Sequence, residues 1–238
     1  SINVNELMSK IKTLNEYPYE VFLYGVDQKG LEKAIKPYVV NTKLQPAKAK
    51  DYPELATNGK VYFTNYDMVQ MEMSKVAKAG NVNLSNFGKA SVFNEYFGRG
   101  LSSIVFQEIR ESKSLAYSAY VSYANATEKN KPNYVTNYIG TQSNKLPAAV
   151  SAMSDLMAEL PQIPAQFENA KGSALKQIAS NRINRTTIFY NQLSLKKLGV
   201  DYDIRKDVYA EVQTLTLPEL TSFYNTEVKP LTYNTAII

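Results

Sequence analysis

The chain has 238 residues, of which 44% are hydrophobic and 21% are charged, and this is typical of a globular protein with one large domain or with one domain and part of another. Its net charge of +5 comes mostly from lysines scattered along the chain, which does not predict a nucleic-acid-binding surface. Because the sequence contains neither His nor Cys, it excludes a disulfide, a His- or Cys-ligated zinc site built from this chain alone, and a Ser-His-Asp or Cys-His catalytic unit. No apolar run approaches the roughly 18 residues of a membrane span.

The first 45 residues predict a helix, a strand and a second helix. Apolar residues at helical spacing indicate an amphipathic helix over 4–16. A short apolar strand follows at 19–24, and Asp27 is the predicted N-cap of a helix that runs to about Pro37. The stretch 44–53 contains two Pro and lacks apolar periodicity, which indicates a loop or linker.

The middle of the chain predicts strands on both sides of a helical region. Segments 61–64 and 69–76 are predicted as strands, and 85–97 as a helix that Gly98-Arg99-Gly100 interrupts. A new helix follows at 101–111, with Ser102 or Ser103 as its N-cap. Strands at 115–124 and 134–141 flank a short polar loop, which favours an antiparallel hairpin.

The last third of the sequence is mostly helical. Apolar stripes run from Leu146 to Leu160 and from Phe167 to Ile178, and the tetrapeptide Thr216-Leu217-Pro218-Glu219 predicts the capping box of a further helix. The chain then returns as a strand at 231–238. This order of elements predicts an α+β fold, a two-layer domain in which an antiparallel sheet carries helices packed on one face.

A weak internal repeat links the two ends of the chain. It consists of three positions at a constant offset of 213 residues, Val4, Glu6 and Leu7 in the first copy and Leu217, Glu219 and Leu220 in the second. In both places a helix leads through a short link into a strand. Chance is one explanation, since helix-then-strand is a common order. Tandem duplication is the other, and it assigns residues 1–45 to the tail of a preceding homologous domain and 46–238 to the body of the next.

Few side chains are candidates for catalysis or binding. Glu108 and Glu111 are either an acid/base pair or surface carboxylates around Arg110. Arg110 and Tyr117 lie seven residues apart, across a helix-to-strand turn that can bring both side chains to one mouth of the sheet. There the Arg fork and the Tyr hydroxyl could hold a peptide carbonyl or a developing oxyanion. The alternative is an Arg paired with Glu and a core Tyr.

Two neighbouring segments resemble a known family signature. Residues 92–103, VFNEYFGRGLSS, and 106–118, FQEIRESKSLAYS, are similar to the signature of the pitrilysin/insulysin/mitochondrial-processing-peptidase family of inverted-motif (HxxEH) zinc peptidases. The resemblance extends from about residue 60 to the end and is greatest for the non-zinc half of large single-chain bacterial members. Three positions depart from the pattern: Ser114 stands where Gly is usual, Ile104 where Arg is usual, and Arg99 lies between two glycines.

The resemblance implies a specific architecture and role. In that family, homologous α+β domains of the LuxS/processing-peptidase type form two halves that enclose a chamber. The chain would be the half without the zinc motif, with Arg110 and Tyr117 as its substrate clamp and no activity or metal of its own. The expected partners are a peptide substrate and an upstream half of the same polypeptide, which carries HxxEH and the zinc ion. The parent protein would then be a zinc metalloendopeptidase.

Two other functions stay open at this point. Family-like domains also act as non-catalytic structural or assembly subunits, and a parent protein without HxxEH would favour that role. An independent peptide-binding domain is the other, and it requires that this chain alone binds peptides. The sequence leaves the compartment open, although bacterial relatives are often exported to the periplasm or beyond. A first residue other than Met and a strand-like end are typical of a piece of a longer protein.

Overall fold

The computed structural model describes residues 3–38, 44–45, 48, 50, 52–54 and 56–238. It divides the chain into two compact units, Ser1–Glu54 and Leu55–Ile238. Part of the predicted linker over 44–53 lies outside the described residues.

The first unit contains two short helices, α1 (Val4–Lys12) and α2 (Gln28–Ile35), neither of which has a buried residue. Each begins at a side-chain cap. The Asn3 side-chain oxygen accepts a hydrogen bond from the Asn5 N–H at 2.9 Å. The predicted cap of α2 is confirmed, because the Asp27 carboxylate accepts from a backbone N–H in the first turn at 2.8 Å.

The strand predicted at 19–24 is wrong, because these residues form no strand in the structure. A strand satisfies its backbone N–H and C=O groups only by pairing with a neighbour. The described part of the first unit contains no other strand to supply that pairing.

The second unit is built on a five-stranded sheet in the order β1-β5-β2-β4-β3. The strands are β1 (Val61–Phe63), β2 (Gln70–Asn81), β3 (Ser118–Ala124), β4 (Pro132–Gln142) and β5 (Asn234–Ile237). The predicted β3–β4 hairpin is confirmed as an antiparallel pair, and β2 is antiparallel to both β4 and β5. The β1–β5 pair is parallel, which corrects the prediction of a wholly antiparallel sheet. β5 lies between β1 and β2, which run in opposite directions. It must therefore be parallel to one of them and antiparallel to the other.

Helices cover one face of this sheet, as predicted for an α+β two-layer domain. The helices of the second unit are α3 (Phe87–Phe93), α4 (Leu146–Leu156), α5 (Pro164–Ser180), α6 (Ile188–Lys197), α7 (Arg205–Thr214) and α8 (Leu217–Glu227). Of these, α3 and α4 contact the sheet directly. Alternate strand residues such as Met73 and Ile139 are buried in a common core with side chains from the helices. The predicted capping box is confirmed at the start of α8, where the Thr216 N–H donates to the Glu219 carboxylate at 2.8 Å.

Two helical stretches beside the sheet are wound more widely than an α-helix. The helix α3 continues as a first π-helix over Asn94–Gly98, and a second π-helix spans Phe106–Ser112. At Gly98 an added Cβ would lie 2.0 Å from a backbone carbonyl oxygen of β3, so only glycine fits where helix and strand approach. The predicted Ser103 cap is confirmed at the start of the next helical turn, where its hydroxyl accepts from the Phe106 N–H at 3.3 Å.

The first π-helix also blocks the outer edge of β3. The side-chain amide of Asn94 donates to the Tyr123 carbonyl at 2.9 Å and accepts from the Tyr123 N–H at 2.8 Å. One side chain thus replaces a neighbouring strand at this position and satisfies both backbone groups of the edge.

Candidate functional site

A cleft of about 310 Å³ opens where the second π-helix passes into β3. Three segments line it, with Arg110 and Glu111 on the helix, residues 114–117 in the connecting turn, and Thr141, Gln142 and Lys145 at and beyond the end of β4. The structure therefore places both sequence-predicted residues, Arg110 and Tyr117, on the wall of one cleft.

Arg110 is held between a ring and a carboxylate. Its Cζ lies 4.8 Å from the centroid of the Phe106 ring, a cation–π contact. Its Nε lies 3.6 Å from Glu111 Oε1, which is longer than a hydrogen bond, so the carboxylate balances the charge without occupying that donor. The side chain is 46% exposed and can reach a ligand in the cleft. This pairing supports the interpretation of Glu111 as a surface carboxylate beside Arg110.

Tyr117 projects from a fixed backbone into solvent. Its side chain is 52% exposed, so the alternative of a core tyrosine is wrong. Its N–H donates to the Gly140 carbonyl at 2.9 Å, which attaches it to the neighbouring strand β4. Its hydroxyl oxygen accepts a hydrogen bond from Gln142 Nε2 at 2.8 Å.

The turn between these two residues depends on one strained residue. Ser114 has φ of +50°, in the left-handed region that glycine enters more easily. Its N–H donates to the Arg110 carbonyl at 3.1 Å, and the Leu115 N–H donates to the Ile109 carbonyl at 2.9 Å. The Lys145 ammonium donates to the Ser114 carbonyl at 3.0 Å. These bonds end the helix and set the direction in which the chain enters β3.

The cleft is richer in hydrogen-bond donors than in acceptors. It contains two cations, Arg110 and Lys145, against the single carboxylate of Glu111. Tyr117 adds a hydroxyl and Gln142 adds a side-chain amide. Such a set can hold a carbonyl oxygen, a carboxylate or an oxyanion at a carbon under attack.

The described residues do not form a metal site or a membrane span. No three His, Cys, Asp or Glu side chains among them come together in a group that could hold a metal ion. In the same part of the chain, no helix has the length and apolar character needed to cross a bilayer.

The sequence prediction identified Arg110 and Tyr117 but missed Gln142 and Lys145. The hairpin register pairs Ser118 with Gly140, which brings the end of β4 next to the turn that precedes β3. An exact register of the predicted hairpin would therefore have found Gln142. A predicted hairpin without its register could not.

Comparison with known sequences identifies one family and one relative. The sequence profile described as the peptidase M16 inactive domain matches residues 19–173. The uncharacterized zinc protease YmxG of Bacillus subtilis (strain 168) is 31% identical over 113 residues, which are 44% of this chain and 27% of that protein.

Solved structures share the fold at low sequence identity. The peptidase M16 inactive domain from Pseudomonas fluorescens superposes with a TM-score of 0.63 at 13% identity, over 89% of this chain and 50% of that one. The periplasmic protease PqqL from Escherichia coli gives 0.64 at 13% identity, over 90% of this chain and 24% of that one. Pitrilysin gives 0.57 at 11% identity, over 87% of this chain and 22% of that one. The chain thus spans half or less of the length of each of these relatives.

Proposed function

Because the chain belongs to the family of peptidase M16 inactive domains, we propose that it is the C-terminal, substrate-binding half of a zinc-dependent metalloendopeptidase. The observation that carries the proposal is the cleft in which Arg110 and Tyr117 present hydrogen-bond donors side by side on one wall. A peptide held there would face the catalytic half across an enclosed chamber.

The zinc ion of such an enzyme does not fit this chain. The sequence offers no His or Cys, and no acidic cluster among the described residues replaces them. We therefore assign the metal and the HxxEH motif to an upstream half of the same polypeptide, which is this chain's proposed partner. On its own the chain is expected to have no peptidase activity.

Arg110 and Tyr117 would bind different parts of the peptide. The guanidinium of Arg110 carries a fixed charge and several N–H donors, which suit the backbone carbonyls of an extended peptide. The Tyr117 hydroxyl would donate to the scissile carbonyl oxygen, most strongly as that oxygen gains negative charge. Loss of one such donor typically slows catalysis by about 10²–10³-fold.

The first unit fits the tail of a preceding homologous domain. Asn3 caps α1 and Thr216 is the N-cap of α8, at the same offset of 213 residues as the sequence repeat. The apolar face of α1 is uncovered, with Leu7 48% exposed and Ile11 50% exposed. Under the same offset, the stretch 19–24, which forms no strand, corresponds to residues 232–237, which include β5. An upstream domain would supply both the missing sheet and the cover for α1.

The runner-up function is a non-catalytic structural or assembly domain. It would leave the cleft without a ligand and make Arg110 and Tyr117 ordinary surface residues. An independent peptide-binding module is a third function, and isothermal titration of this chain with an extended peptide would show heat only if that module exists.

Cleavage of a fluorogenic peptide by the full-length parent protein tests the proposal. Arg110→Ala and Tyr117→Phe are each expected to lower kcat/KM by tenfold or more while the zinc content stays unchanged. Tyr202→Phe is the matched control, because Tyr202 is also 52% exposed but its hydroxyl bonds to Asp207, outside the cleft. Activity that both cleft variants retain within twofold would establish the scaffold function instead.

A further inference from the structure

The hydroxyl of Tyr117 has a fixed orientation, and one residue sets it. A phenol has one proton to donate and lone pairs that accept. Gln142 Nε2 donates to the Tyr117 oxygen at 2.8 Å. A lone pair is thus occupied from the Gln142 side, and the O–H bond must point away from that amide. The proton is left free for a ligand in the cleft.

The backbone of Gln142 is anchored on two sides. It is the last residue of β4, and its backbone is paired with Gln70 at the start of β2. The next turn, Ser143–Lys145, leads directly into α4, whose first residue Leu146 is buried. The amide therefore reaches Tyr117 from a backbone fixed on the sheet side and on the helix side.

Tyr117 meets Gln142 from an equally fixed position. The Tyr117 N–H bonds to Gly140 at 2.9 Å, and the Thr141 hydroxyl donates to the Leu115 carbonyl at 2.5 Å. These two bonds tie the turn before β3 to the end of β4 beside the side-chain contact. A donor and an acceptor held this way keep their geometry without a ligand, which is the preorganisation that transition-state stabilisation requires.

We infer that Gln142 is a positioning residue, which directs the Tyr117 proton toward the substrate carbonyl. This inference rests on the proposed function of Tyr117 as an oxyanion donor. It adds a residue that contacts Tyr117 rather than the reacting atoms. Its effect should therefore appear in kcat, because the proton matters most when the carbonyl oxygen carries charge.

Gln142→Glu gives the sharpest test, because it keeps the shape of the side chain and reverses the hydrogen bond. The introduced carboxylate accepts from Tyr117 and takes the proton away from the substrate. We expect kcat of the parent protein to fall at least tenfold, with KM changed less than threefold. The ratio of variant to wild-type kcat should rise again as pH falls toward the ordinary Glu pKa of about 4.3, because a protonated carboxyl can donate to the phenol oxygen.

Three further variants separate this effect from other causes. Gln142→Leu removes the donor without adding an acceptor, and a loss of a few fold is expected because the hydroxyl can then rotate. Gln177→Glu places the same charge on an exposed position of α5, outside the cleft, and should leave kcat within twofold. In the Tyr117→Phe background, Gln142→Glu should have no further effect, since no proton remains to be directed. Equal melting temperatures would show that each variant folds.

Each outcome decides between the inference and the function on which it rests. If Tyr117→Phe lowers kcat but Gln142→Glu stays within twofold of wild type, Tyr117 donates toward residue 142 or rotates freely, and the inference is overturned alone. If Gln142→Glu costs as much in the Tyr117→Phe background as in the wild type, its effect does not pass through Tyr117, and the inference is again overturned. If Tyr117→Phe itself has no effect, the proposed function and the inference are overturned together.

Discussion

Replacement of Ser114 by glycine should stabilise the protein. The φ of +50° at this residue places its Cβ against the following carbonyl, which costs roughly 1–2 kcal/mol relative to a right-handed conformation. Glycine removes that cost, but its greater conformational entropy in the unfolded chain lowers the free energy of unfolding by about 0.4–1 kcal/mol. Taken at the middle of each range, the difference is a net gain of about 0.8 kcal/mol in the free energy of unfolding. For a chain of this length, a gain of that size raises Tm by about 1–4 °C.

Thermal and urea unfolding, followed by circular dichroism, measure this gain. Ser114→Ala is the matched control, because alanine keeps the Cβ and should change the free energy of unfolding by less than about 0.5 kcal/mol. Asn130→Gly is a second control, since Asn130 also has a left-handed φ, of +63°, but asparagine enters that region at lower cost. If Ser114→Gly proves no more stable than Ser114→Ala, backbone strain at this turn does not limit stability and the reasoning is refuted.

Two other predictions concern the core. Gly98→Ala should lower the free energy of unfolding, measured in urea, by about 3 kcal/mol, because the new Cβ would lie 2.0 Å from the β3 backbone. Gly172→Ala in α5, where a Cβ meets open space, should raise it by up to about 1 kcal/mol. Similar changes for the two variants would contradict the packing argument. Burial raises the pKa of Tyr224 to about 12, while an unfolded tyrosine titrates near about 10. The neutral phenol therefore stabilises the fold below about pH 10, and this contribution is lost as pH rises through about 12. Tyr224→Phe should make the decline of the unfolding free energy between about pH 10 and 12 less steep, and an unchanged slope would show that another group causes it.

The sequence predicted the elements that begin or end at a local cap or turn motif. The capping box at Thr216, the Ser103 cap and the β3–β4 hairpin each depend on residues close together in the chain, and each is confirmed. The Arg110 and Tyr117 spacing also predicted their common location, because a short turn limits how far their backbones can separate.

The features that were missed depend on distant partners. The stretch 19–24 has the composition of a strand, but the described part of the first unit contains no other strand with which it could pair. The parallel β1–β5 pair arises because two remote segments become neighbours, which no local pattern encodes. The π-winding before Ser114 adds residues to helical turns whose apolar spacing still resembles that of an α-helix. Gln142 was missed because its role requires a register rather than a motif.

The position of β5 also orders the folding of the second unit during synthesis on the ribosome. β5 lies between β1 and β2, and the Lys60 N–H bonds to Asn234 across 174 residues of chain. β1 therefore has no sheet neighbour until residues 234–237 have left the exit tunnel. Before residues 234–237 emerge, the nascent chain can assemble β2, β4 and β3 as a three-stranded sheet with its helices. During that time β1 has no strand to pair with in this sheet. β5 then pairs with the open edge of β2, and β1 joins the sheet on the other side of β5, which requires β1 to stay accessible until that point.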